Sequence, residues 1–145
     1  MEAASSGIRT ATCITAEAAL AAAMAAVRHG RTRGARVVAA TTGADGELLA
    51  LWRDDGAFAP SLTIAADKAY TAAAFMCSTD ELAAGLASND LVLEGIAARP
   101  RVILFGGGFP VRHEGRVVGA VGVSGGSEED DRACALAAIA ALGFE

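Results

Sequence analysis

At 145 residues, 53% of them hydrophobic and 20% charged, the chain is long enough to bury one core and too apolar to remain disordered. A net charge of −5 leaves no electrostatic footprint for nucleic acid, and the arginines between 28 and 36 read as a solvated helix end and loop. The alanine-rich runs are broken by charges before they reach the roughly 18 apolar residues that a membrane span needs.

The N-terminus has neither the charged region nor the long apolar run of a signal peptide, so a cytoplasmic location is expected. Cys13, Cys77 and Cys134 have no metal-site spacing and read as small buried hydrophobes in a reducing compartment. The surplus of apolar residues on so small a domain points to burial between subunits.

The first predicted element is a helix capped by Thr15, with Glu17 in its first turn and Gly30 as its stop. Leu20, Met24 and Val27 fall at i, i+4 and i+7, and alanine fills most other positions, which permits close approach to a neighbour. Residues 35–41 and 47–52 read as two strands joined by a Gly43-Ala44-Asp45-Gly46 turn. Pro60 and Ser61 open a helix to about Cys77, with Ser61 as the cap. Residues 79–98 form one or two shorter helices that break near Ser88-Asn89-Asp90. Pro100 resets the chain into a strand over 102–105.

A glycine-rich stretch follows. Gly106-Gly107-Gly108-Phe109-Pro110 leads to a hairpin at His113-Glu114-Gly115 and a long strand to Val123. Ser127 then caps a helix whose first turn holds four acids, which complement the positive end of its dipole. Hairpin-linked strands imply an antiparallel sheet covered by helices, an α+β fold in a single domain over 1–145.

Four blocks carry a resemblance to a known family: residues 46–57, which include Arg53-Asp54-Asp55-Gly56-Ala57; residues 66–72 around Lys68; Gly107-Gly108-Phe109-Pro110-Val111; and residues 119–125 with Asp131 beyond them. In this order and spacing the chain resembles the GlcG/HbpS family, which also occurs as the C-terminal domain of PduO-type proteins. The resemblance implies a profilin-like domain with a five-stranded antiparallel sheet flanked by helices, assembling into homo-oligomers, often octamers. It also implies haem or tetrapyrrole binding at a subunit interface. Two departures alter charge near the first hairpin: Gly43 stands where the family usually has aspartate, and Asp54 where it usually has methionine.

The candidate chemistry divides three ways. For haem, His113 or His29 are the possible axial ligands, and Tyr70 or a methionine could serve instead; no cluster has metal-site spacing otherwise. For an enzyme acting on a small carboxylated metabolite, as isomerase, lyase or deaminase, Lys68, Arg53 and Asp55 would be catalytic. A mid-helix lysine with a partly buried head loses basicity and can move a proton, and Arg53 can clamp a carboxylate. The structural alternative pairs Lys68 with Asp55 or Asp131, and Arg53 with Asp55. Gly106, Gly107 and Gly108, with Phe109 and Pro110 beyond, form either a ligand-binding nest of N–H groups or a bend in the sheet. The third reading is an oligomeric accessory protein without a ligand.

Overall fold

The computed structural model describes residues 6–144. Thr15 caps helix α1 (Ala16–Thr32), its hydroxyl accepting from the Ala18 N–H at 3.1 Å. Strands β1 (Val38–Gly43) and β2 (Leu48–Arg53) form the first hairpin, and α2 (Ser61–Phe75) follows. Two short helices come next, α3 (Thr79–Leu86) and α4 (Asp90–Ala97), then β3 (Gly108–His113), β4 (Arg116–Ser124) and α5 (Glu128–Leu142). The expected break between the short helices is present, with Asn89 capping α4. Ser127 and Asp130 close a reciprocal capping box on α5.

The sheet is antiparallel throughout, in the order β2-β1-β4-β3. Strand alternation sorts its side chains into two cores. Val37, Ala39, Val121 and Val123 face α1 and α5, joined there by Ala22, Ala26, Cys134 and Ala138. Val38, Ala40 and Ala120 face the opposite way, onto Ala65, Ala69 and Ala72 of α2. Alanine dominates the helix faces, so the helices lie close to the sheet, and β4 supplies glycine where the approach is tightest. At Gly122 a Cβ would strike the Ala65 carbonyl and come within 2.5 Å of the Ala69 nitrogen.

The sheet has four strands where five were expected. The missing strand is the one read over 102–105, and its backbone groups are spent on α2 instead. Arg101 sits at φ +68°, which turns the chain out of extended geometry. The Thr71 hydroxyl donates to the Arg101 carbonyl at 2.9 Å and accepts from the Ile103 N–H at 3.0 Å. Held on a helix side chain, the segment has no ladder to join, and regular pairing starts only at Gly108.

Two helix boundaries also differ. α1 runs through Gly30 to Thr32, because Gly30 packs against Val37 and Cys134 inside the helix. Pro60 occupies the cap position of α2 with no side-chain bond, while Ser61 is buried with its hydroxyl 3.2 Å from that of Ser124.

Candidate functional site

Of the residues expected to act together, Lys68 and the glycine triplet share one place, while Arg53 and Asp55 lie apart from them. Lys68, on α2, is 1% exposed. Its ammonium donates to the Val123 carbonyl at 2.8 Å and to Asp131 Oδ2 at 3.0 Å, and it lies 5.1 Å from the centre of the Phe105 ring. Burial lowers the Lys68 pKa against the opposing pull of Asp131, and burial likewise raises that of Asp131. Asp131 Oδ1 also accepts from the Gly126 N–H at 3.0 Å. The pair is a buried tie between α2, β4 and α5.

The glycine triplet closes over that tie. A Cβ on Gly107 would lie 2.8 Å from the Lys68 ammonium, and one on Gly108 would lie 2.6 Å from the Lys68 carbonyl. The N–H of Gly106 donates to Glu128 Oε1 at 2.8 Å and that of Gly108 to the Thr79 hydroxyl at 3.2 Å. Two of the three donors of the expected nest are therefore engaged within the protein. Phe109 and Pro110 run directly into β3, with Phe109 packed on the α1/α5 core.

Arg53 is at the far side of the sheet. It lies on β2, and Lys68 is held at β4, two strand spacings or roughly 10 Å away. Its guanidinium donates to the Ala57 carbonyl at 2.8 and 3.1 Å. Asp55 is exposed, and the buried carboxylate is its neighbour Asp54. Asp54 accepts from Arg31 Nη2 at 2.7 Å and Nε at 3.1 Å, and from Arg36 at 3.4 Å. The hydrogen bonds from Arg31 hold the Asp54 pKa at about 2. Tyr70 lies over Gly46, and Arg101 stacks on its ring 4.0 Å from the centroid.

His113 is placed differently. It ends β3 beside an apolar cleft of about 300 Å³ formed by Cys13, Ile14, Ala18, Val118 and Phe144. Its ring meets Phe144 edge-on, with centroids 5.5 Å apart, and Glu114 Oε1 lies 3.9 Å from Nε2. Half of the His113 side chain is open to solvent. Ile14 is fixed there by its N–H donating to the Val118 carbonyl at 3.0 Å. His29 lies near the other end of α1 from the cleft residue Thr15, about 21 Å of helix away, so the two histidines cannot share one iron within one chain.

Across the N-terminal segment, with Thr12 lining both, is a second cleft of about 650 Å³ between the β3–β4 hairpin and the end of α2. Arg9, Arg112 and Arg116 line it. Cys13, Phe144 and these arginines were missed from sequence. The pairing of the second hairpin could have pointed to Arg116 alone, since it sets that residue beside His113; nothing in the sequence pointed to the others. Of the three cysteines only Cys134 is buried, and burial pushes its thiol up to about 11; Cys13 is exposed. Among the described residues, no group of three or more His, Cys, Asp or Glu could hold a metal ion, and no helix is long and apolar enough to cross a membrane.

A small α+β domain with an apolar, histidine-edged cleft belongs to a recognisable class. Residues 14–140 match the family described as haem degrading protein HbpS-like, and the chain belongs to that family. Among its relatives is an uncharacterised 15.0 kDa protein from the dhaT–dhaS intergenic region of Citrobacter freundii, 40% identical over 65% of this chain and 67% of that protein. The corrinoid adenosyltransferase PduO of the same organism is 35% identical over 81% of this chain, a match spanning only 36% of PduO.

Solved structures agree in fold. A double mutant of Streptomyces reticuli HbpS superposes with a TM-score of 0.87 at 34% identity, over 99% of this chain and 97% of that one. PduOC in complex with haem superposes at 0.84 with 30% identity, over 92% and 98%.

Proposed function

We propose that this protein binds haem non-covalently in the His113 cleft, where the His113 imidazole would hold the iron. The observation that carries the reading is the cleft itself: apolar walls from Ile14, Ala18, Val118 and Phe144, with one imidazole at the edge. Those residues fit the group. Apolar walls take the macrocycle out of water, an imidazole nitrogen is a normal ligand for haem iron, and the Phe144 edge fixes the ring's tilt. Membership of the HbpS-like family and likeness to a haem complex support it. Bound haem supplies an iron centre; the protein's part is to hold, orient and shield it.

A cleft of about 300 Å³ is at the small end for a ligand of drug size, so much of a macrocycle would overhang it. A second copy of the chain would cover the overhang, which makes the site a subunit interface in a homo-oligomer, the octamer that the family resemblance implies. In support, α4 buries none of its residues and leaves Leu91 and Val92 exposed. Haem titration into the purified protein, read by absorbance, should give a saturable Soret shift. Light scattering should give a mass several times that of one chain. No shift beyond that of free haem removes the reading.

A further inference from the structure

The arginine cleft is not explained by the fold. Arg9 comes from the N-terminal segment and Arg112 and Arg116 from the hairpin, so two separate stretches bring three arginines to the lining of one hollow. No aspartate or glutamate lines it, and among the described residues none of the three forms an ion pair. Glu114 is the near acid, and it faces His113 instead. Three arginines with no acid among the lining residues make this hollow a place of positive potential that an anion can enter.

The cleft is also preorganised and tied to the haem cleft. Arg112 is anchored by a 2.8 Å bond from Nη2 to the carbonyl of Met76, which follows α2 in the left-handed conformation at φ 57°. That bond holds the guanidinium in place while its remaining N–H groups are free to face the hollow. Strand register makes His113 and Arg116 direct cross-strand partners, so their Cβ atoms are about 5 Å apart on one face of the hairpin. Thr12 lines both hollows. An apolar wall with an imidazole is thus continued by cationic forks that match carboxylates in bidentate fashion.

We propose that Arg9, Arg112 and Arg116 form a carboxylate subsite continuous with the His113 cleft, and that it selects tetrapyrroles whose side-chain carboxylates are free. This rests on the haem reading above and adds the class of tetrapyrrole to it.

The test compares haem with haem dimethyl ester, which keeps the macrocycle and iron but masks both carboxylates. Each is titrated by absorbance into wild type, Arg116→Gln and Arg112→Gln/Arg116→Gln; the single variant alters an exposed residue that does not hold α2. Wild type should bind haem at least about tenfold more tightly than the ester, about 1.4 kcal/mol. Each variant should lose haem affinity, the double variant by about tenfold or more, while its affinity for the ester stays as in wild type. Equal affinity of wild type for both ligands, or an equal loss of both in Arg116→Gln, overturns the subsite and leaves the haem site standing. If neither ligand binds wild type saturably, the haem reading has failed and the subsite falls with it.

Discussion

Lys68→Met removes the ammonium from a place that water does not reach. The methionine fills the channel between α2 and β4, but Asp131 keeps only the Gly126 N–H as a partner, and the Val123 carbonyl loses its side-chain donor. Breaking a buried ion pair from one side costs about 3–5 kcal/mol, most of it the desolvation of the charge left behind. For a chain of this length that is a fall in Tm of about 10–15 °C.

The sign of the pH dependence follows. Without Lys68, the Asp131 carboxyl is raised still further by burial, so its folded pKa lies above the unfolded value. Stability from protonating it is present at low pH and lost as pH rises through the folded pKa, and the variant should be more stable at pH 5 than at pH 8. Lys68→Met/Asp131→Asn removes the stranded charge and should recover at least half of the loss. Urea denaturation across that pH range with calorimetry reads all three effects. A Lys68→Met protein within about 0.5 kcal/mol of wild type at pH 7 would refute the argument, because it would mean that the pair is hydrated or absent.

Two further predictions concern other parts of the fold. Asp54 titrates at about 2 when folded against 3.8 as a free side chain, so its contribution is present above pH 4 and is lost as pH falls through 2; acid unfolding of wild type should show at most about 2 kcal/mol of this, and Asp54→Asn should flatten it, whereas an unchanged acid limb would deny Asp54 the role. Gly122→Ala drives a methyl into the α2 backbone and should cost about 3 kcal/mol or prevent folding. Gly56→Ala, at φ +82° in open space, should cost only about 1–2 kcal/mol. Equal chemical-denaturation midpoints for these two would contradict the close approach of α2 to β4.

Much of the fold was legible because its signals are local. Thr15 and Ser127 mark helix starts by hydroxyl capping, and the two glycine-containing turns mark hairpins whose alternation then assigns both faces of the sheet. The strand over 102–105 was misread because its composition suits a strand, while the Thr71 hydroxyl that captures it comes from a helix some thirty residues earlier. The site was less legible. Asp54 and Asp55 are indistinguishable in the sequence; the Asp54 N–H bond to the Val37 carbonyl and the arrival of Arg31 decide which one is buried. Cys13 and Phe144 stand at opposite ends of the chain, and only the packed sheet end brings them to His113. The glycine triplet resembled a ligand cradle because close packing against a lysine needs the same residue as close packing against an anion.

The claim that matters most is that His113 holds the iron. Resonance Raman and absorbance spectra of the haem-loaded ferrous protein, for wild type and His113→Ala at matched occupancy, test it directly. Wild type should show an iron–histidine stretching band that the variant lacks, with a shifted Soret maximum and weaker binding in the variant. The same band and the same affinity in His113→Ala would contradict the assignment and move the iron to another ligand.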